Sequence, residues 1–250
     1  MSTAPRTVGP LNLHESSEHQ KIVGILGGMG PWATVDLMSR ILKLTPTEKE
    51  WDHIRVIVDS NVKIPSRTRS LLFDEPSPAA GMIDSINRLG AYPVDFVVIP
   101  CNSASHFLPD VLKHVQTPVL NIVDIVSDKV VEGGSRNPGL MGGMVPWKGG
   151  VYTRAMEARG RGIVLPDAET QDKTASIIER LKQMDKGPET LELLDQVLAH
   201  LVGRGADSLI LGCTEFSLIE EEIKARSDLP IYLSTDLLAQ EVVAKAMGTH

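Results

Sequence analysis

An α/β fold of two pseudo-symmetric halves, each a parallel sheet flanked by helices, is what three features of this 250-residue chain predict. Short apolar runs alternate with segments of helical periodicity from Lys21 onward, the pattern of parallel strands joined by crossover helices. The stretch VIPCNSAS (98–105) is echoed by LILGCTEF (209–216): an apolar run, one of the chain's two cysteines, then small polar residues able to cap a helix. GILGGMGP (24–31) is echoed by GLMGGMVP (139–146) at nearly the same offset. One duplicated half-domain explains both repeats and brings two thiols to equivalent strand ends.

Taken in order, residues 1–20 lack the apolar core of a signal peptide and read as a disordered polar tail. IVGIL (22–26) is a strand that breaks at Gly27 and Gly28. Pro31 suits the first turn of a helix over 32–45, whose apolar stripe is Val35, Met38, Ile41 and Leu42. IRVIVD (54–59) is a β-branched strand, and a polar loop over 61–72 carries Arg67 and Arg69 beyond its carboxyl end. Met82, Ile83, Ile86 and Leu89 mark a helix that Gly90 can stop. VDFVVI (94–99) is the strand into Cys101, Pro109 interrupts a helical signal over 104–115, and VLNIV (119–123) closes the first half.

The second half opens with a strand into glycines, GLMGGM (139–144), followed by a helix across 149–160 and a strand GIVLP (162–166). Helices over 169–184 and 188–204 precede SLILG (208–212), which delivers Cys213. IYL (231–233) is a last strand and 236–247 a terminal helix. The expected domains are 21–124 plus 236–250, carrying Cys101, and 125–235, carrying Cys213, with a boundary near 124–137. Ligands of parallel sheets bind beyond the carboxyl ends of the strands, where both cysteines and both glycine turns fall.

With 42% apolar and 23% charged residues the composition is that of a soluble globular protein. A net charge of −7 offers no attraction to nucleic acid or an anionic membrane, and no apolar run approaches the ~20 residues that span a bilayer. The expected compartment is the reducing cytoplasm, with both cysteines as thiols. An anionic ligand then needs a few placed cations or helix N-termini.

GMGPWA (28–33) fits a loose G-x-G-x-x-A form, but Pro31 sits inside it and no acidic residue ends a second strand about twenty residues on. A turn at Met29 and Gly30 whose N–H groups approach a small carboxylate fits better. Each cysteine is followed by hydrogen-bonding residues, Asn102 and Ser103 after one, Thr214 and Glu215 after the other. A thiol ahead of a helix N-terminus is stabilised as thiolate, which a proton-transfer base requires. Two inert core thiols or one structural disulfide are the plain alternatives. No CxxC, HxxxH or G-x-S-x-G occurs, so neither a metal nor a serine triad is expected.

GILGGMGPWAT (24–34), CNSAS (101–105) and GCTEF (212–216) resemble the aspartate/glutamate racemase family, the cofactor-independent amino-acid racemases. The resemblance implies an active site in the cleft between the halves, a homodimer, no cofactor, and Cys101 and Cys213 as bases on opposite faces of the substrate Cα. It further implies that Arg67 in IPSRT (64–68) binds the side-chain carboxylate and that Lys182 in IIERLK (177–182) reaches the same pocket. Ser66 stands where the family has aspartate, Ser105 where it has histidine, and Val145-Pro146 where its second glycine loop has Gly-Thr. These departures bear on the substrate rather than on the reaction type.

The activity so implied is isomerisation between L- and D-forms of aspartate, glutamate or a related amino acid or dicarboxylate. Three alternatives stand beside it. One is another reaction on the same thiols, such as hydantoin racemisation, maleate isomerisation or malonate decarboxylation. The others are a non-catalytic binder of small acids and a thiol redox protein, which the lack of CxxC disfavours.

Overall fold

The computed structural model describes residues 20–248, so the tail expected over 1–20 lies outside the described residues except for Gln20. One sheet contains β1 (Val23–Gly27), β2 (Val56–Ser60), β3 (Phe96–Val98) and β4 (Val119–Leu120) in the order β2-β1-β3-β4. The other contains β5 (Pro138–Gly142), β6 (Ser208–Gly212) and β7 (Ile231–Leu233) in the order β5-β6-β7. All pairings are parallel. The first-half helices are α1 (Pro31–Leu44), α2 (Arg67–Phe73), α3 (Ala79–Gly90), α4 (Leu108–Val111) and α5 (Ile122–Glu132). Then follow α6 (Met144–Lys148), α7 (Val151–Glu157), α8 (Ala168–Lys182), α9 (Pro188–Gly203), α10 (Glu220–Lys224) and α11 (Ser234–Met247). Among the described residues no helix is long and apolar enough to cross a membrane.

The apolar strands read as continuous runs because both faces are covered, and successive side chains serve different cores. Val23, Ile25, Phe96 and Val98 join Leu140 and Ile210 of the second sheet in one central cluster with α1, α5, α7 and α11. Their neighbours turn outward: Leu26, Val97 and Ile99 pack on Met82, Ile86 and Val111. Met141, Leu209 and Leu211 pack on Ile177, Leu181, Leu194 and Leu198 of α8 and α9. The sheets are thus joined by a shared core, and the terminal helix α11 packs along α1 and α5. The carboxyl ends of β1, β3, β5 and β6 converge above that core.

Several elements differ from the sequence expectation. The stripe of α1 is Ala33, Leu37 and Ile41, whereas Val35 and Leu42 are 56% and 52% exposed. The polar loop over 61–72 contains α2, which starts because Ser66 caps it by accepting from the Arg69 N–H. VLNIV keeps strand form only to Leu120; Asn121 then caps α5, accepting from the Val123 N–H, and α5 occupies most of the expected boundary over 124–137. Its β-branched residues suit a strand locally, but Ile122, Val123, Val126 and Val130 share one buried helical face. The helix expected across 149–160 is the shorter α7, and Gly150, at φ 62°, separates it from the unexpected short helix α6 before it. GIVLP (162–166) contributes only a single bridge, Val164 to Gly139.

Candidate active site

The turn from β1 into α1 shows why glycine stands there. Gly28 has φ 85°, and a Cβ on it would lie 2.5 Å from the Asn61 backbone beyond β2. Its N–H donates to Thr34 Oγ1 at 3.0 Å, so this amide is engaged within the turn. Met29 follows, buried, with its side chain on the wall of a cavity of about 180 Å³.

Both cysteines open on that cavity. Cys101 (φ −154°, ψ 104°) ends the β3 run and caps a 3₁₀ turn over Asn102–His106. Cys213 (φ −139°, ψ 131°) ends β6 and caps another over Thr214–Ile219. Each is extended and each accepts at its carbonyl from the residue three ahead, Ala104 at 3.1 Å and Phe216 at 3.2 Å. Both are free thiols, Cys101 buried and Cys213 half-buried. The structure thus brings together Met29, Arg67, Cys101, Asn102, Ser103, Lys182, Cys213, Thr214 and Glu215. Gly30, the cap of α1, lines an adjoining annex instead.

The electrostatics of the two thiols differ. Cys213 Sγ donates to Glu215 Oε2 at 2.9 Å, and Thr214 Oγ1 donates to the same oxygen at 3.3 Å. Burial, and next the Glu215 carboxylate, push the Cys213 thiol up; a backbone hydrogen bond and Lys182 pull weakly the other way. At neutral pH Cys213 therefore carries its proton. The residue after Cys101 is held by neutral partners. Asn102 Oδ1 accepts from Tyr152 at 2.6 Å, and its Nδ2 donates to Ser234 Oγ at 2.9 Å. Asn102 is thus a buried, fixed post whose amide is engaged at both ends.

Tyr152 was invisible to sequence reasoning. It is fully buried on α7, its hydroxyl reaches Asn102, and a Cβ on Gly212 would lie 2.9 Å from its ring. One side chain therefore touches the residue after Cys101 and the residue before Cys213. Burial, with the charge of Cys213 as a lesser cause, raises its pKa, so it remains a donor.

The two cations differ too. Arg67, at the start of α2, donates to Met29 O at 2.9 Å and Pro65 O at 3.1 Å, and its Nε is buried without a partner. Among the described residues it makes no ion pair; its partners there are the two carbonyls. Lys182, half exposed, pairs with Glu179 at 2.6 Å. Burial lowers its pKa, but Glu179, and then Glu215 and Cys213, outweigh that and raise it.

The second glycine turn contributes Gly143 and Met144 to the cavity. Val145 and Pro146 face inward instead, Val145 fully buried, and Trp147 Nε1 donates to Pro166 O at 3.1 Å. Val145 and Pro146 are absent from the cavity wall, so they shape the site through packing rather than contact. Ser105 donates to Asn121 Oδ1 at 2.7 Å, tying the Cys101 turn to the cap of α5. Among the described residues no group of three or more His, Cys, Asp or Glu is placed to hold a metal.

Comparison with known proteins bears on this geometry. The profile of the Asp/Glu/hydantoin racemase family matches residues 26–242. The chain is 25% identical over 227 residues to the broad specificity amino-acid racemase RacX of Bacillus subtilis (strain 168), covering 89% of this chain and 97% of that relative. An aspartate racemase structure from Picrophilus torridus superposes with TM-score 0.80 at 27% identity, covering 91% of this chain and 94% of the other. The glutamate racemase isoform RacE1 of Bacillus anthracis shares the fold at TM-score 0.66 and 21% identity, covering 92% and 83% of the two chains.

Proposed function

The chain belongs to the Asp/Glu/hydantoin racemase family, which makes it an isomerase, and we propose that it racemises α-amino acids by proton transfer between two thiols. The observation that carries this reading is that Cys101 and Cys213 occupy equivalent strand ends and open on one cavity. In one direction the Cys101 thiolate takes the Cα proton. The electron pair left behind delocalises into the substrate carboxylate, and the Cys213 S–H delivers a proton to the opposite face. Cys101 ends as thiol and Cys213 as thiolate; the reverse reaction exchanges the roles. Glu215, hydrogen-bonded to Cys213, favours the state in which Cys213 begins with the proton.

General acid–base catalysis of this kind supplies about 10²–10⁴-fold. The remainder must come from stabilising the enolate-like carboxylate. The N–H groups opening the two 3₁₀ turns, with Ser103 and Thr214, surround the space where it would lie. Arg67 and Lys182 supply cations for a side-chain carboxylate, which supports aspartate or glutamate as substrates. No step in this scheme calls for a cofactor. A homodimer in the cytoplasm belongs to the same reading, and light scattering tests the dimer.

The test is Cα hydrogen–deuterium exchange in D₂O with both enantiomers of a panel of amino acids. Exchange with interconversion is the expected result. Exchange of none of them, by folded protein, refutes the reading.

A further inference from the structure

Beside the cysteine cavity lies a larger annex of about 540 Å³, and Met29, Arg67, Lys182, Thr214 and Glu215 form the wall common to both. Its other sides are largely apolar. Pro31, Trp32 and Val35 come from the start of α1, Leu181 from the end of α8, and Leu218 from the 3₁₀ turn that follows Cys213. Trp32 and Val35 are 63% and 56% exposed, although the same helix buries Leu37 and Ile41 fully.

The geometry points to this annex as a side-chain subsite, and we propose that the enzyme accepts α-amino acids with long apolar side chains as well as acidic ones. This rests on the two-thiol reading above. Proton transfer between Cys101 and Cys213 holds Cα in the smaller cavity, and the polar groups of the 3₁₀ turns hold the carboxylate. The side chain must then leave toward the common wall. Arg67 turns Nη1 and Nη2 to backbone carbonyls and Lys182 leans to Glu179, which leaves their aliphatic stems as the part of the common wall a substrate side chain would slide along. An aspartate side chain ends at these cations. A longer apolar chain passes them and reaches Trp32, Val35, Leu181 and Leu218, where each methylene buried is worth about 10-fold or more in specificity.

The experiment compares kcat/KM for Cα exchange of L-methionine, L-leucine and L-phenylalanine with that of L-alanine and L-aspartate. It uses the parent and two variants that fill the annex from different turns of α1, Val35→Trp and Ser39→Trp. The expected result is methionine or leucine exchanging about tenfold or more faster than alanine in the parent. That ratio should fall about tenfold in each folded variant. If aspartate and alanine exchange but no apolar amino acid outpaces alanine, the subsite is overturned and the two-thiol reading stands. If the variants alter oligomeric mass and leave the ratio intact, the annex is a contact between copies and the inference falls. Should no amino acid exchange at all, the two-thiol reading fails and takes the inference with it. The parent panel decides even if neither variant folds.

Discussion

Cys101 and Cys213 sit on the same backbone device in different surroundings. Each ends an apolar parallel strand, each is extended, and each caps a 3₁₀ turn at the mouth of one cavity. Beyond that the corners diverge. Cys101 is followed by an amide locked between Tyr152 and Ser234, with no charge among these partners. Cys213 is followed by a carboxylate that accepts its S–H and holds its proton on. Duplication explains the placement of the thiols; the side chains around each are set separately. In the two-thiol scheme proposed above, the Glu215 contact favours the state in which Cys213 begins with the proton.

The shared half of the comparison breaks with the largest effect. Cys101→Ser and Cys213→Ser should each lower interconversion by about 10²–10⁴-fold. The melting temperature should move by only a few degrees, since neither thiol is in a disulfide and serine is close to cysteine in size. Circular dichroism at fixed protein concentration measures both. The comparison predicts that each single variant retains exchange of one enantiomer only, opposite in the two. Full racemisation by either variant would sink the two-base scheme.

The cations repeat the contrast on a smaller scale. Arg67, on the Cys101 side, makes no ion pair among the described residues, whereas Lys182, on the Cys213 side, is neutralised by Glu179. Arg67→Ala should therefore weaken aspartate or glutamate by about thirtyfold or more, the low end of the ~2–5 kcal/mol for losing one partner of a buried charge pair. Lys182→Ala should cost less. Equal losses in KM for the two variants would erase the distinction.

Glu215→Gln sharpens the comparison directly. Burial is the first cause of the raised Cys213 pKa and survives the change; the carboxylate, the second cause, does not. The thiol then loses its proton at lower pH, so the alkaline limb of kcat/KM moves to more acidic pH. Activity near neutrality changes by about tenfold or less, since one pKa unit corresponds to ~1.4 kcal/mol. An alkaline limb that stays in place assigns that limb to another group.

How much of this was legible in the sequence follows from where each signal resides. The strands into Cys101 and Cys213 could be read because parallel strands covered on both faces are unbroken apolar runs. Helix α2 was hidden because its start depends on one serine side chain, Ser66, turning back to an amide. Helix α5 was hidden because Ile122, Val123, Ile125 and Val126 favour a strand locally, and only burial of one helical face against α7 and α11 overrides them. That Val145 and Pro146 turn into the core was not legible, since which way α6 turns is a tertiary fact. Tyr152 left no trace, because its partner Asn102 stands in the other repeat and no local pattern links them.

The smallest expected effect concerns that tyrosine, the one side chain linking the two corners. Tyr152→Phe keeps the ring against Gly212 and removes the donor to Asn102 Oδ1, leaving a buried carbonyl oxygen unpaired. The stability cost is about 1–3 kcal/mol, or roughly 2–4 °C in melting temperature per kcal/mol for a chain of this size. A purely structural role ends there. A positioning role adds a drop in kcat at nearly unchanged KM, because a loosened Asn102 shifts the Cys101 turn without removing a substrate contact. Ser234→Ala loosens the same amide from its other end. If both bonds act through Asn102, the kcat losses of the two variants should be less than additive in the double variant. Strict additivity, or stability loss with kcat untouched, would leave Tyr152 a core residue and confine the contrast between the corners to their charges.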